Sequence, residues 1–92
     1  MDNELIVKII ELSKEYNVSK LILFGSSLDS FIDSNDVDLA CDGLYGKNFF
    51  RFGSSLENLL KKPVDLIPLQ PSNDFISYIQ ANGKVLYESQ IN

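Results

Sequence analysis

The chain is 92 residues long, which is enough for one small domain and too short for two independent hydrophobic cores. Its formal net charge is −5 and Arg51 is its single arginine, which argues against strong non-specific nucleic-acid binding, since that requires a basic face. The sequence has no histidine and one cysteine, Cys41, which excludes an internal disulfide and a metal site built from several thiolates.

The hydrophobicity pattern predicts helices and strands that alternate along the chain. Apolar residues recur at helical spacing in the first segment, whereas residues 36–41 alternate with the period of two that is typical of strands. In chain order we predict a helix over residues 3–16, a strand over 20–24, a helical turn over 27–31, a polar loop over 32–35, a strand over 36–41, a helix over 48–62, a strand over 64–69, a helix that starts within 71–74 and ends at 82–83, and a strand over 84–87.

This order of elements predicts a single domain over residues 1–92 of the α/β (α+β) class. We expect one small mixed β-sheet with helices packed on one face, which leaves the other face free to carry a site. We expect Cys41 to fill apolar space on a buried strand. The acidic N-terminus is unlike a signal peptide and no apolar stretch approaches membrane-spanning length, so we expect a cytoplasmic protein that does not bind membranes.

Two carboxylates on one predicted strand are the most informative feature of the sequence. Asp36 and Asp38 are two positions apart, so their side chains project from the same face of the strand. Two like charges this close are unfavourable unless a cation lies between them, and Mg²⁺ prefers carboxylate and phosphate oxygens. Asp65 adds a third carboxylate between apolar residues of a later strand, where a lone charge is costly. The alternative is that these residues are acids at strand edges facing water.

A Gly-Ser pair follows the first predicted strand. Gly25 and Ser26 lie where the strand ends, and the small residues allow close approach of backbone N–H groups to phosphate oxygens. If Ser27 opens a helical turn, the dipole of that turn adds to the anion site. A plain turn is the alternative interpretation.

Three short motifs therefore occur in order: Leu23-Phe24-Gly25-Ser26, Asp36-Val37-Asp38-Leu39 and Val64-Asp65-Leu66. With these motifs and the closing Val85-Leu86-Tyr87-Glu88, the sequence resembles the polymerase-β-type nucleotidyltransferase superfamily. Within it, the best fit is to the minimal nucleotidyltransferases (MNT) of HEPN/MNT toxin–antitoxin pairs. The resemblance covers nearly the whole chain.

The resemblance implies a polymerase-β-like fold and Mg²⁺-dependent transfer of a nucleotidyl group, with AMP expected, from an NTP such as ATP to a hydroxyl acceptor. It implies that two Mg²⁺ ions are bound by the three catalytic carboxylates, Asp36, Asp38 and Asp65. It also implies that the nucleotide is bound at Gly25, Ser26 and Ser27.

The resemblance further implies a partner. Minimal members are usually encoded beside a helical HEPN protein and act as its antitoxin, in some systems by adenylylating a tyrosine of the HEPN ribonuclease. A homo-oligomer and a hetero-oligomer are both compatible with the sequence.

A second interpretation is a binding-only antitoxin that keeps the fold and has little or no catalytic activity. Many small relatives carry arginines just after Gly-Ser, whereas residues 27–31 here contain no basic residue. The helix that follows could supply the missing charge, or its basic residues could lie on a solvated face: Lys47, Arg51, Lys61 and Lys62. Because all three carboxylates are retained, we favour the active enzyme.

The predicted helix over 48–62 and the turn before it carry more aromatic residues than one helix face can bury: Tyr45, Phe49, Phe50 and Phe52. We expect either a partner surface there or a helix packed between sheet and loop.

Overall fold

The computed structural model describes residues 3–28 and 35–89, without the side chains of residues 3, 26 and 27. The elements are α1 (Asn3–Glu15), β1 (Lys20–Phe24), a short 3-10 helix (Gly25–Leu28), β2 (Val37–Asp42), α2 (Lys47–Leu60), β3 (Val64–Pro68), α3 (Asp74–Asn82) and β4 (Lys84–Glu88). The predicted helices and strands are therefore confirmed, with small differences at their ends. The predicted turn over 27–31 begins earlier, at Gly25, and residues 29–34 of the turn and the polar loop lie outside the described residues.

The four strands form one mixed sheet, as the sequence predicts, and the structure gives their order as β3-β2-β1-β4. β1 is antiparallel to both β2 and β4, whereas β2 and β3 are parallel. Parallel neighbours need a crossover connection, and α2 provides it. The N-terminal ends of β2 and β3 therefore lie side by side, next to the end of β1.

One face of the sheet packs against α1 and α2. The strand residues on this face include Leu21, Leu23 and Leu39, which are fully buried with Phe52 of α2 and Ile9 of α1. The two helices are also joined directly, because the Tyr16 and Phe52 rings lie 5.4 Å apart and the Tyr16 hydroxyl is 3.0 Å from the Ser55 Oγ. This is the larger part of the hydrophobic core.

The opposite face is partly covered by α3, which differs from the predicted placement of all helices on one face. Ile76 and Ile79 of α3 pack against Ile22 and Ala40, which alternate with the core residues of the first face. Both faces of β1 are apolar, so each one needs a covering layer. The fold class is confirmed, and the correction concerns this one helix. Ala40 shares its face with Asp38, so α3 and the acidic residues lie on the same side of the sheet.

The start of β3 is attached both to the start of β2 and to α2. The Val37 N–H donates to the Pro63 carbonyl oxygen (3.0 Å), and the Val64 N–H donates to the Glu57 carboxylate (3.0 Å). These bonds fix the register in which β3 joins the sheet.

Among the described residues, no helix combines the length and the apolar character needed to cross a membrane.

Candidate active site

Asp38 and Asp65 lie side by side on neighbouring strands. They are register partners in the parallel pair of β2 and β3, so their side chains project from the same face. Adjacent strands are separated by about 4.8 Å, which is close enough for the two charges to interact strongly. Asp38 is half-buried and Asp65 is exposed. The sheet therefore joins two carboxylates that are far apart in the sequence.

Asp36 completes an acidic cluster around Asp38. It is exposed and directly precedes Val37, the first residue of β2. Burial raises the pKa of the Asp38 carboxyl above its ordinary value, and the negative charges of Asp65 and Asp36 raise it further. Asp65 and Asp36 therefore both act on Asp38 electrostatically in the folded protein.

Gly25 contacts the same carboxylate from the other side. Phe24, the last residue of β1, is the register partner of Asp38, which brings the next residue beside the Asp38 side chain. A Cβ atom on Gly25 would overlap Asp38 Oδ2 and would lie 3.1 Å from Asp38 Cγ. Gly25 also has φ +73, a conformation that L side chains rarely adopt. The backbones of Ser26 and Ser27 continue from Gly25 in the 3-10 helix, and their side chains lie outside the described part of the structure.

The donor set of this cluster suits a hard cation. In the described ranges, 3–28 and 35–89, no group of three or more His, Cys, Asp or Glu residues could by itself hold a metal ion. Mg²⁺ rarely needs such a cage, because it is usually bound by one or two carboxylates together with substrate phosphates and water. The carboxylate oxygens of Asp36, Asp38 and Asp65 are the donor type that Mg²⁺ takes, with its other positions left to a ligand and water.

The four basic residues considered from the sequence fall at opposite ends of α2. The helix has 14 residues and is therefore about 20 Å long. Lys47 and Arg51 lie at its N-terminal end, away from the carboxylates. Lys61 and Lys62 follow its C-terminal end and precede Pro63, which is hydrogen-bonded to Val37. The structure thus brings only this second pair to the end of the sheet that carries Asp36 and Asp38.

A cavity beside Gly25 was not predicted from the sequence. It has a volume of about 310 Å³ and lies between the end of β1 and α3, with Phe24, Phe75 and Tyr78 among its lining residues. A larger cavity of about 610 Å³ lies at the other end of β1, next to Ser19. A periodic apolar pattern on α3 indicates a packed helix and carries no information about a gap beside it.

The aromatic residues of the α2 region are divided between core and surface. Phe52 is fully buried and Phe49 is half-buried, whereas Tyr45 and Phe50 are 74% and 73% exposed. The exposed pair lies near the N-terminal end of α2 and lines a surface cavity there together with Phe49.

Comparison with known proteins identifies the family. Residues 7–92 match the family described as "Polymerase beta, Nucleotidyltransferase". The match covers most of the chain, so the protein belongs to the polymerase-β nucleotidyltransferase family. Within this class, its structural neighbours are MNT antitoxins from HEPN–MNT toxin–antitoxin complexes, which confirms the resemblance found in the sequence. No curated protein sequence matches the chain significantly.

Three solved structures illustrate the likeness. A toxin–antitoxin structure with AMP-PNP is 25% identical, with a TM-score of 0.73 over 92% of this chain and 74% of that one. The complex of a tri-AMPylated Shewanella oneidensis HEPN toxin with its MNT antitoxin is 24% identical, with a TM-score of 0.73 over 98% and 75%. A MntA–HepT complex is 22% identical, with a TM-score of 0.71 over 97% and 74%.

Proposed function

We propose that this protein is an Mg²⁺-dependent nucleotidyltransferase that transfers AMP from ATP to a hydroxyl group of a HEPN-family partner. The observation that carries the proposal is the position of the Asp38 carboxylate between Gly25 and Asp65. A phosphate-binding turn and a metal-binding pair meet at this point, and nucleotidyl transfer needs both.

The proposed role of the Gly25–Leu28 segment is to bind the triphosphate. Gly25 has no side chain, so phosphate oxygens can approach its backbone closely. The N–H groups of Ser26 and Ser27 follow in the same helical turn, and successive N–H groups of this kind form anion sites. The phosphates would then lie next to Asp38 without a side chain between them.

The proposed role of Asp36 and Asp38 is to hold Mg²⁺ together with the phosphates, with Asp65 completing a second ion site. When bound, Mg²⁺ supplies charge neutralisation at the phosphates and Lewis-acid activation of the attacking hydroxyl. Burial raises the pKa of Asp38 most, and the charges of Asp65 and Asp36 raise it further; a bound cation would offset this second effect.

The proposed reaction is an in-line displacement. The acceptor oxygen forms a bond to the α-phosphorus of ATP, and the bond from that phosphorus to the oxygen bridging the α- and β-phosphates breaks. Pyrophosphate leaves with the bonding electrons. The hydroxyl proton passes to the Asp65 carboxylate, which is exposed and therefore accessible to an acceptor from outside the chain.

The choice of nucleotide and partner is supported by the related structures. One contains AMP-PNP, and another contains a HEPN toxin that carries AMP groups in complex with its MNT antitoxin. We propose the same nucleotide and the same kind of partner for the present protein. It would then act as an antitoxin, and its expected compartment is the cytoplasm. The net charge of −5 supports a protein partner over non-specific nucleic-acid binding.

A binding-only antitoxin is the second candidate. The absence of basic residues over 27–31 favours it, because a triphosphate there receives less cationic help than in many small relatives. Lys61 and Lys62 support the active enzyme, since they lie at the correct end of the sheet to supply that charge.

The test is transfer of label from ATP that is radiolabelled at the α-phosphate to the co-purified HEPN partner, with and without Mg²⁺. We expect Mg²⁺-dependent labelling of the partner by the wild type and none by Asp38→Asn. Asp42→Asn is the matched control, because Asp42 lies on the same strand at its other end. If the wild type and Asp38→Asn label the partner equally, the proposed site is wrong. If the partner is bound and never labelled, the binding-only antitoxin is correct.

A further inference from the structure

The start of β3 has a hydrogen bond that the sheet itself does not supply. The Val64 N–H donates to the Glu57 carboxylate of α2 (3.0 Å). β3 is the last strand on its side of the described sheet, so it pairs with β2 only. On the β2 side, the Pro63 carbonyl oxygen accepts from the Val37 N–H. Because the backbone groups of successive strand residues point to opposite sides, the Val64 N–H points to the open edge, where a backbone donor has no strand partner.

Glu57 binds the connection between α2 and β3 at two points. Its carbonyl oxygen accepts from the N–H of Lys61, which ends the helix with φ 60 (2.8 Å). Its carboxylate reaches past Lys61 to Val64, and a hydrogen bond to a charged acceptor is stronger than one between neutral groups. One residue of the helix therefore sets the position of the first residue of β3.

The next residue along β3 is Asp65, whose position is unfavourable without a cation. Asp65 and Asp38 are register partners on strands about 4.8 Å apart, so their like charges repel each other. This repulsion acts to move the start of the edge strand away from β2. The bond between Glu57 and Val64 opposes that movement, because it anchors β3 to α2 at the residue that precedes Asp65.

We propose that Glu57 is a positioning residue that holds Asp65 beside Asp38. The inference rests on the proposed function, in which Asp65 completes the second ion site and receives the hydroxyl proton. Glu57 acts through the backbone of Val64 and does not bind the ion or the nucleotide. The proposed phosphate site at Gly25 and the Asp38 carboxylate lie on the neighbouring strands, so Glu57 should affect the rate of transfer and not the affinity for ATP.

The first test measures the rate of AMP transfer to the partner at saturating ATP, and the affinity for Mg²⁺–ATP by isothermal titration. We expect Glu57→Ala to lower the rate roughly tenfold or more, since loss of a group that orients a metal-binding residue has an effect of this size. Its affinity for Mg²⁺–ATP should be unchanged, which also shows that the variant is folded. Glu57→Gln keeps an oxygen acceptor for the Val64 N–H and should restore most of the rate.

Ser55→Ala is the matched control. Ser55 lies on the same helix, and its Oγ is 3.0 Å from the hydroxyl of Tyr16, which directly follows α1. The variant therefore loses a side-chain hydrogen bond of α2 that does not involve β3. It should transfer AMP at the wild-type rate.

The second test needs neither a partner nor a nucleotide. Amide hydrogen exchange of the metal-free full chain, followed by NMR, measures how firmly the start of β3 is held. In Glu57→Ala the Val64 and Asp65 amides should exchange roughly three- to tenfold faster, the factor expected for an exposed hydrogen bond to a charged acceptor. Glu57→Gln should show a smaller change, and Ser55→Ala should show none at these two residues.

Three results would overturn the inference and leave the proposed function intact. They are an unchanged transfer rate in Glu57→Ala, an equal loss of rate in Glu57→Ala and Ser55→Ala, and faster exchange that is confined to Val64 and does not extend to Asp65. If the wild type does not label the partner, or if Asp38→Asn labels it equally, the proposed function fails. The exchange measurement then still decides whether Glu57 holds Asp65 in place.

Discussion

The Asp38 carboxylate lies in space that a side chain on Gly25 would fill. A Cβ atom built on Gly25 overlaps Asp38 Oδ2 and lies 3.3 Å from Asp38 Cβ. The contact joins the end of β1 to β2, because Phe24 and Asp38 are register partners. The Gly-Ser motif and the Asp-x-Asp motif are therefore parts of one arrangement, although nine residues separate them in the sequence.

Alanine variants of two glycines distinguish the contact between Gly25 and Asp38 from the effect of backbone strain. Gly25→Ala should lower the free energy of unfolding by roughly 1–2 kcal/mol through its positive φ and should also displace the Asp38 carboxylate, so that Mg²⁺-dependent ATP binding is lost. Gly46→Ala is the control, because Gly46 has φ +57 and no atom within 4 Å of its added Cβ. It should lose similar stability and bind ATP normally. Normal ATP binding by a folded Gly25→Ala variant would contradict the role of this contact.

Asp38 should make the metal-free protein less stable at neutral pH. Its pKa is raised on folding, first by burial and then by Asp65 and Asp36, so the folded state holds the proton more tightly than the unfolded state does. The stabilising contribution is complete below the ordinary pKa of 3.8 and is lost as pH rises through the higher folded-state pKa. Stability in the absence of Mg²⁺ should therefore decrease over this window.

Asp38→Asn removes the negative charge that destabilises the metal-free protein at neutral pH. We expect chemical denaturation at pH 7 without Mg²⁺ to give a gain of about 0.2–1 kcal/mol, the range for charge pairs that are partly exposed. The gain should shrink towards acid pH. Asp42→Asn serves as the control, since Asp42 Oδ1 accepts a hydrogen bond from the Gly43 N–H (2.9 Å) that asparagine can retain. A loss of stability in Asp38→Asn at pH 7 would contradict the expected effect of burial and of the neighbouring charges on Asp38.

The basic residues after α2 should contribute to nucleotide affinity. Replacing Lys61 and Lys62 together by glutamine should weaken Mg²⁺–ATP binding by roughly three- to tenfold, with greater weakening at low salt, because charges near the phosphates act electrostatically. The same change at Lys47 should have no effect, because Lys47 is about 20 Å away along the helix. Equal effects at both ends would indicate a general dependence on net charge instead.

Cys41 should be unreactive in the folded protein. It is 2% exposed, and burial together with the charge of Asp42 raises the pKa of its thiol to about 12. Because the thiolate is the reactive form, an alkylating reagent at pH 8 should label Cys41 only after denaturation. Mass spectrometry after a labelling pulse measures this directly. Rapid labelling of the native protein would contradict the placement of Cys41 in the core.

The proximity of Asp36 to Asp38 could be predicted from the sequence because the two residues are only two positions apart, although the strand itself begins at Val37. The approach of Asp65 could not be derived in this way, since it depends on the parallel register that the bond between Val37 and Pro63 helps to fix. The resemblance to a family supplied that expectation. A local sequence pattern predicts only local geometry, whereas contacts between strands that are distant in the sequence depend on the packing of the whole sheet.

The position of α3 is a second feature that could not be predicted from the sequence. Ile76 and Ile79 mark an apolar stripe, and Leu21, Ile22 and Leu23 make β1 apolar on both faces. The sequence therefore identifies a helix that packs on the sheet and does not distinguish between the two faces. The pocket between α3 and Gly25 follows from that choice of face, which is why it could be found only in the structure.

The most direct test of the account is isothermal titration of ATP into the protein with and without Mg²⁺, beside the Asp36→Ala/Asp38→Ala double variant. We predict saturable binding that requires Mg²⁺ and is lost in the double variant, while the variant remains folded and no less stable than the wild type without metal. Binding of equal strength in the two proteins, or binding that does not depend on Mg²⁺, would contradict the assignment of these carboxylates to a metal–nucleotide site.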